Sequence, residues 1–272
     1  MRLPSSLVRS HASWSELPDP TPESTRKGPA LALKYSGRTE KGPEKKTNQD
    51  HITIARVWND TERQGTLMVL ADGLGGHRGG EVASMMLTEH LPTILQKRHG
   101  NNVLTDLVES VIEIHELIQQ EGGNEKNLRG MCSTAVVALV INRILYLVHV
   151  GDSRGYLFRD GRLVFRTRDH SLKESSTVRQ SSRTLDHVLT QSVGVGSPLI
   201  PGIAIYELEP GDHIVMCSDG VSDVVTEEEM SYMVDGAIPE DASRNLLELA
   251  TAKGSPDDLS VIIAAVYAEG DK

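Results

Sequence analysis

The sequence predicts a layered α+β domain, and two patterns carry that prediction. Short apolar runs rich in Val, Ile and Leu follow one another along the chain, which is typical of β-strands. Two longer segments, 80–99 and 102–120, repeat apolar residues at helical intervals and stand together between strands. Because strands neighbour strands and the helices come as a pair, the pattern favours α+β layering over alternating β-α-β units. A chain of 272 residues can bury a substantial core, as one large domain or two small ones.

The individual elements follow from local patterns. Pro92 lies inside the first helical segment and predicts a kink or a split there. Thr226 and Glu229 form a capping-box signature that opens a short helix, and Gly254 ends a further helix over 242–253. Strands are expected over residues 52–57, 67–71, 133–141, 144–150, 155–159, 163–166, 203–208, 213–218 and 259–266.

The N-terminal region differs from the rest of the chain. Residues 1–28 combine Pro, Ser, Thr and charge without a sustained period, so we expect a disordered or loosely attached arm before a domain over 29–270. Residues 1–46 carry a net charge of +4, and the remainder carries −14. Such an acidic body argues against a nucleic-acid surface, because phosphate backbones require clustered cations. It fits a site that is built from carboxylates.

Apolar runs and cysteines indicate the compartment. No run approaches the roughly 20 residues that span a bilayer, and the N-terminus lacks the apolar stretch of a secretory signal. Cys132 and Cys217 lie in or beside apolar runs without metal-ligand spacing, so we expect buried free thiols in a reducing compartment. The cytoplasm is therefore expected, with no membrane partner. An organellar transit peptide is the alternative, because the first fourteen residues contain Arg and Ser but no acid.

Aspartates recur where apolar runs end. Asp72 and Asp219 each follow such a run and precede a glycine, Asp152 follows a third run, and Asp50 and Asp257 stand just before others. An isolated Asp-Gly pair is most often a turn. If the five converge, however, their repulsion would raise their pKa values or require cations. Oxygen ligands without a His or Cys cluster select Mg²⁺ or Mn²⁺ over zinc. Two such ions can activate water against a phosphoryl group, so the spacing predicts metal-assisted hydrolysis.

Four ordered motifs resemble those of the PPM-type (protein phosphatase 2C-like) family in its bacterial form. They are VLADGLGGH at 69–77 with GEVA at 80–83, VGDSR at 150–154, CSDG at 217–220 and DDLSVI at 257–262. The resemblance covers about residues 30–268. It implies a phosphatase that hydrolyses phosphoserine and phosphothreonine on proteins. It also implies a central β-sandwich of antiparallel sheets flanked by helices (α-β-β-α), with the metal site at one end.

The resemblance also implies a role for each site residue. Asp72 would bridge two Mg²⁺ or Mn²⁺ ions, with the Gly73 carbonyl completing the second. Asp219 and Asp257 would hold the first ion, and Asp50 would act near the second. Asp152, together with Asp219, would supply a third and weaker site.

Several positions depart from the family pattern. Lys45 stands where the family usually places a phosphate-binding arginine, and it offers a point charge in place of a bidentate fork. A solvated lysine in a basic run is the alternative. Gln49 replaces a glutamate of some members, and Leu74 replaces the histidine that is the proposed general acid of animal members. His77 lies nearby, but a surface or capping role is the more common one for such a histidine. Asp258 stands where the family often has Asn, and its role is open.

The resemblance implies a flap beside the site around 166–187, because in the family a flap follows a motif like Asp169-His170-Ser171. The family-like run VLTQSVG at 188–194 comes soon afterwards, so the flap is expected to be short. Its net charge of +2 predicts a basic rim for phosphopeptides, or else a solvated polar loop.

Three functions are therefore weighed. The first is a protein serine/threonine phosphatase that opposes a Ser/Thr kinase. The second is a regulatory phosphatase of phosphorylated anti-sigma antagonist proteins, and the third is a non-catalytic binding module of the same fold. The VGDSR and Asp-His motifs favour the first over the second. Retention of Asp72, Asp219 and Asp257 argues against the third.

Overall fold

The structure is a computed structural model that describes residues 31–58, 64–74, 79–98, 100, 102–175 and 188–270. The expected N-terminal arm over 1–28, most of the expected flap, and His77 lie outside the described residues. No helix in the described ranges is long and apolar enough to cross a membrane.

Eleven strands form the centre of the described fold. They are β1 Leu31–Glu40, β2 Asp50–Val57, β3 Gly65–Leu74, β4 Cys132–Ser133, β5 Ala135–Ile141, β6 Ile144–Val150, β7 Arg154–Arg159, β8 Arg162–Arg166, β9 Gly202–Glu207, β10 His213–Cys217 and β11 Leu259–Ala268. One sheet has the order β1-β11-β10-β7-β8. The other has the order β2-β3-β5-β6-β9, with β4 paired to β3. All these pairings are antiparallel.

The two sheets pack face to face because alternate residues of each strand point to opposite sides. In β3, Met68 and Leu70 join a cluster that also contains Ile214 and Met216 of β10, so this cluster is the core between the sheets. Leu67 and Val69 of the same strand pack on the other side, among helical residues. β3 is therefore buried on both faces, which explains its almost uninterrupted apolar run.

Helices cover both outer faces of the sandwich. They are α1 Gly79–Gln96, α2 Val103–Asn124, α3 Leu172–Ser175, α4 Asp219–Ser222, α5 Glu227–Val234 and α6 Pro239–Ala252, with a 3₁₀ turn at Lys126–Leu128. Residues of α1 and α2 pack on the sheet that contains β3, and residues of α4, α5 and α6 pack on the sheet that contains β10. The α-β-β-α fold predicted from the sequence is therefore confirmed.

Local signals placed most helix ends correctly. Asn102 caps α2 by accepting a hydrogen bond from the Thr105 N–H. The predicted capping box is present at α5, where Thr226 and Glu229 satisfy each other's backbone N–H groups. The last helix begins three residues earlier than predicted, because Pro239 occupies its first turn, where a missing N–H costs nothing.

Two expectations about the elements need correction. Of the kink or split expected at Pro92, the split is absent, because α1 runs through this residue as one helix. Leu91 and Leu95, on either side, are fully buried, and their packing offsets the roughly 3 kcal/mol that an interior proline costs. The strand expected over 133–141 is interrupted at Thr134, whose backbone N–H donates to the Asp72 carbonyl at 2.8 Å instead of joining the ladder.

Candidate metal centre

The five aspartates lie at strand ends that meet at one end of the sandwich. Asp50 begins β2 and stands directly opposite Asp72 of β3 in the antiparallel register. Asp219 opens α4 just after β10, and Asp257 stands two residues before β11, which pairs with β10. Asp152 follows β6. The two sheets bring all five together, because Asp72 lies close enough to the other four for their charges to raise its pKa. These four are Asp50, Asp219, Asp152 and Asp257.

Burial and mutual repulsion make this cluster electrostatically unfavourable without cations. Burial first, and then the neighbouring carboxylates, raise the pKa of Asp72 well above its ordinary value of 3.8. The same causes raise the pKa of Asp50 and of Asp152 to about 7. The pKa of Asp219 is raised to about 6, again chiefly by burial and then by Asp257. A cation placed beside these groups would therefore stabilise the ionised form of each carboxylate.

Several carboxylate oxygens of the cluster have no protein donor. Both oxygens of Asp50 and one oxygen of Asp152 are buried without a hydrogen-bond partner. The Ser218 and Ser260 hydroxyls lie close enough to Asp50 to moderate the rise of its pKa, but their hydrogen bonds go to the Asp258 carbonyl at 3.5 Å and to Thr39 at 2.7 Å. Buried polar atoms in folded proteins normally find partners, so oxygens left bare in this way fit a hard cation.

The carboxylates lie close together, but their side chains are not arranged as the ligands of a bound metal ion. In the described part of the chain, no three His, Cys, Asp or Glu side chains are already arranged as metal ligands. Groups that repel one another are expected to close only around a cation. The donor set, which is carboxylate throughout, fits Mg²⁺ or Mn²⁺ and not zinc.

The backbone around Asp72 is fixed more firmly than its side chain. The Asp72 N–H donates to the Thr134 hydroxyl at 3.0 Å, and the Ser133 hydroxyl donates to the Asp72 carbonyl at 2.9 Å. Thr134 in turn shares a 2.7 Å hydrogen bond with Ser153. The break between β4 and β5 therefore holds the central aspartate in place.

Glycines allow three segments to approach the cluster closely. A Cβ on Gly73 would lie 2.2 Å from the Gly80 carbonyl oxygen at the start of α1. A Cβ on Gly220 would lie 2.1 Å from the Asp258 carbonyl oxygen. Since real Cβ atoms do not approach so closely, the glycines in both Asp-Gly pairs are required for packing. The turn expected at each pair is absent, because Gly73 lies in β3 and Gly220 lies in α4.

Lys45 is the cation that the structure places at the cluster. Its Nζ lies 2.5 Å from Asp257 Oδ1, and both side chains are partly exposed. Burial opposes its charge, but contact with Asp257 and the charges of Asp258 and Asp72 leave the pKa of Lys45 raised. The structure therefore places this lysine beside the carboxylates and not in free solvent.

The neighbouring Asp258 is placed differently. It is 2% exposed, and its two oxygens accept hydrogen bonds from the Gly42 and Gln49 N–H groups, each at 2.8 Å. Sequence reasoning left its role open. The only signal in the sequence was its position directly beside Asp257, a predicted ligand, and that position did not reveal these partners.

An ion pair joins the site to the beginning of the expected flap. The guanidinium of Arg154 binds Asp169 with both Nε and Nη2, at 2.9 and 2.7 Å. The His170 N–H donates to the Gly151 carbonyl at 2.9 Å, one residue before Asp152. The VGDSR segment and the Asp169-His170 segment are thus hydrogen-bonded to each other, which spacing alone did not predict.

The remaining predicted positions are partly described. Leu74 ends β3 and pairs with Cys132, which is a free, half-buried thiol, whereas Cys217 is free and buried. Complete burial was therefore correct for Cys217 only. Burial raises the pKa of both thiols, which makes them poor nucleophiles.

The Protein phosphatase 2C family model matches residues 41–249. Serine/threonine protein phosphatase PstP of Mycobacterium tuberculosis is 32% identical over 244 residues, which cover 87% of this chain and 45% of that protein. The chain thus spans about half the length of this relative. A putative protein phosphatase 2C-type of Streptococcus pyogenes is 31% identical, over 88% of this chain and 99% of that protein.

Solved structures resemble the chain over similar lengths. The catalytic domain of PstP, in complex with two manganese ions, superposes with a TM-score of 0.75 at 31% identity, covering 87% of this chain and 99% of that one. Serine/threonine phosphatase Stp1 from Staphylococcus aureus gives a TM-score of 0.76 at 27% identity, covering 86% and 95%.

Proposed function

The chain belongs to the protein phosphatase 2C family, and on that premise we propose that it hydrolyses phosphoserine and phosphothreonine esters on proteins. The reaction is metal-dependent, with Mg²⁺ or Mn²⁺ as the cofactor. Its products are inorganic phosphate and the free hydroxyl side chain.

The observation that carries this proposal is the cluster of Asp50, Asp72, Asp152, Asp219 and Asp257. The raised pKa values of Asp50, Asp72, Asp152 and Asp219, and the unpartnered oxygens of Asp50 and Asp152, describe a site that needs more positive charge than Lys45 supplies. Asp72 lies among the other four and would contact both principal ions, with the Gly73 carbonyl at the second. Asp219 and Asp257 would serve the first ion and Asp50 the second, whereas Asp152 would serve a third, weaker site. The PstP catalytic domain, which was solved with two manganese ions, supports a site for two ions.

When bound, two such ions supply an activated water molecule and neutralise the charge of the phosphoryl group. The chain's own groups then fix where the substrate lies. Lys45, paired with Asp257, is within reach of a phosphate that approaches the cluster, and it contributes a point charge. Leu74 cannot transfer a proton, so we expect solvent to protonate the leaving alkoxide.

The substrates are proposed to be proteins phosphorylated by a Ser/Thr kinase, and the compartment to be the cytoplasm. PhpP of Streptococcus pneumoniae and the Listeria phosphatase stp, 28% and 27% identical to this chain, support the substrate class. The free cysteines fit a reducing compartment. Regulatory dephosphorylation of anti-sigma antagonist proteins is the second candidate, and the bond between the VGDSR segment and Asp169-His170 favours the first.

We expect hydrolysis of a phosphoserine peptide to require added Mn²⁺ or Mg²⁺ and to stop when EDTA is added in excess. The cation is essential because it lowers the pKa of the attacking water, which carboxylates alone do not do, and because it relieves the repulsion between the carboxylates. Phosphate release is measured with and without EDTA, and then after Mn²⁺ is restored. A thiol-blocking reagent on the folded protein is the control and should leave the rate unchanged. Strong turnover after exhaustive chelation would overturn the proposal.

Asp152→Ala should lower kcat about tenfold while leaving the two tight ions in place. Asp152 belongs to the weaker site, and one of its oxygens is buried without a partner, so its removal breaks no hydrogen bond to that atom. Arg154 is held by Asp169 and should stay ordered. Calorimetric Mn²⁺ titration and thermal melting test this. Unchanged turnover with a lower melting temperature would make Asp152 a purely structural residue.

A further inference from the structure

We propose that Asp258 is a positioning residue: it clamps the segment 42–49, which we call the Lys45 loop, so that Lys45 lies beside Asp257. Asp258 itself does not bind the metal ions. The proposal deepens the proposed function and rests on it in one respect, namely that Lys45 acts on a substrate phosphate.

The clamp consists of two hydrogen bonds at the two ends of one loop. Asp258 Oδ1 accepts from the Gly42 N–H, and Oδ2 accepts from the Gln49 N–H, each at 2.8 Å. Hydrogen bonds to an ionised carboxylate are stronger than neutral ones. Because one rigid side chain holds both ends, the Lys45 loop is closed at its base.

Asp258 also differs from the predicted ligands in how its oxygens are used. Both oxygens of Asp50 are buried without a partner, whereas both oxygens of Asp258 are engaged by backbone donors. Asp258 is 2% exposed. A carboxylate whose two oxygens are both satisfied by the backbone gains less from a cation than one without such partners. In the neighbouring Asp257, the Asp258 N–H donates to Oδ1 at 2.7 Å, so among the described residues the backbone holds both oxygens of Asp258 but one oxygen of Asp257.

The loop lies directly on the backbone that carries these two aspartates. A Cβ on Gly42 would lie 2.5 Å from both the carbonyl carbon and the carbonyl oxygen of Asp257. Inside the loop, the Lys45 N–H donates to the Gly42 carbonyl at 3.2 Å, and Lys41 Nζ donates to the Lys45 carbonyl at 2.7 Å. With the base and interior of the loop fixed, Lys45 Nζ reaches Asp257 Oδ1 at 2.5 Å.

An asparagine at position 258 could not form the same clamp. Its side chain has one acceptor oxygen and one NH₂ donor, so the donor would confront one of the two backbone N–H groups. At least one of those groups would then be left without an acceptor, which destabilises the base of the loop because an unsatisfied buried N–H is costly. Asp258→Asn therefore removes the clamp with almost no change in volume.

The experiment compares Asp258→Asn and Gly42→Ala with the control Glu40→Gln. Glu40 is exposed and stands opposite Leu259 in the β1–β11 pairing. Its replacement by Gln therefore removes one negative charge close to the Lys45 loop and leaves the hydrogen bonds to the Gly42 and Gln49 amides in place. Gly42→Ala disturbs the loop without changing any charge. A Lys45→Gln variant removes the side chain and leaves the clamp intact.

Hydrogen exchange of the metal-free proteins measures the clamp without any activity. We expect amides in peptides that cover 41–49 to exchange at least about tenfold faster in Asp258→Asn and Gly42→Ala than in wild type, Glu40→Gln or Lys45→Gln. Peptides that cover β11 should exchange at the wild-type rate, which shows that the variants are folded.

Kinetics and metal binding then separate positioning from ligation. KM for a phosphoserine peptide should rise about tenfold in Asp258→Asn, Gly42→Ala and Lys45→Gln, with a much smaller change in kcat. Combining Asp258→Asn with Lys45→Gln should raise KM little further, because both act through the same lysine. Affinity for the two tight Mn²⁺ ions should change by less than about threefold in Asp258→Asn and Lys45→Gln, whereas Gly42→Ala also presses on the Asp257 backbone and is used for the exchange measurement and KM alone.

Two results would overturn the clamp: wild-type exchange over 41–49 in Asp258→Asn, or loss of a tight Mn²⁺ ion in that variant with no change in KM. A wild-type protein that hydrolyses no phosphopeptide, yet shows faster exchange in Asp258→Asn, would overturn the proposed phosphatase function and leave the clamp standing.

Discussion

Asp72→Asn and Asp219→Asn are each expected to lower kcat/KM at limiting Mn²⁺ by about three orders of magnitude or more. Asn keeps the volume of Asp but removes the anionic oxygen that a cation needs. Asp72 lies among four other carboxylates, and Asp219 is repelled by Asp257 in turn, so both occupy the most acidic part of the site.

These two variants should nevertheless fold. Without metal, the charged form of Asp72 is disfavoured by burial and repulsion, so loss of the charge relieves the folded state. We therefore expect the melting temperature of each metal-free variant to equal or exceed that of the metal-free wild type. Asp241→Asn, which loses an exposed carboxylate on α6 paired with Arg244, is the matched control and should retain full activity. Near-normal turnover of Asp72→Asn at limiting Mn²⁺ would contradict the assignment.

The second large effect concerns pH and metal together. The pKa of Asp50 in the folded protein is about 7, against an ordinary value of 3.8. Between these values the folded state binds a proton that the unfolded state has released. Its stabilising effect is therefore complete below about pH 4 and is lost as pH rises through about 7. Asp152, with a pKa of about 7, and Asp219, at about 6, act in the same direction.

We therefore expect saturating Mn²⁺ to raise the melting temperature by several degrees more at pH 8 than at pH 5, because cations relieve repulsion only between ionised groups. Buried histidines change the stability of the metal-free protein in the opposite direction, so that it rises with pH. Burial lowers the pKa of His149, and it lowers the pKa of His170 to about 4. Their effect cancels when wild type is compared with Asp50→Asn.

The difference in melting temperature between metal-free Asp50→Asn and metal-free wild type isolates the Asp50 contribution. It should be small at pH 5 and should grow in favour of the variant by pH 8. A difference independent of pH would show that Asp50 is not a buried acid in this window.

Most of the sandwich could be predicted because its strands carry strong local signals. β6 was predicted residue for residue, since a run buried on both faces is almost wholly apolar, with His149 as the exception here. β1 was missed. Its sequence LALKYSGRTE contains Gly37 in the interior, and it is a half-exposed edge strand without a continuous apolar run. Gly37 lets Ile52 pack closely there, since a Cβ would lie 2.9 Å from Ile52 Cδ1.

The aspartates of the site could be predicted from the sequence, but the hydrogen bonds and ion pairs around them could not. Asp50, Asp72, Asp152, Asp219 and Asp257 stand next to strand ends, and strand ends are visible in the sequence. The partners of Asp258 lie more than 200 residues earlier, at Gly42 and Gln49, and no local pattern connects them. The Arg154–Asp169 pair depends on how β7 and the following segment fold back on each other. Such contacts are set by tertiary structure alone.

Calorimetric titration of the metal-free protein with Mn²⁺, beside the same titration of Asp72→Asn, tests the central claim most directly. The claim is that the gathered aspartates form one site for two ions, with Asp72 contacting both. We expect two tightly bound ions per chain in the wild type. In Asp72→Asn we expect both affinities to fall by orders of magnitude, while binding to Asp241→Asn stays as in the wild type. Wild-type protein that binds no tight Mn²⁺, or Asp72→Asn that binds two ions as tightly as the wild type, would contradict the account.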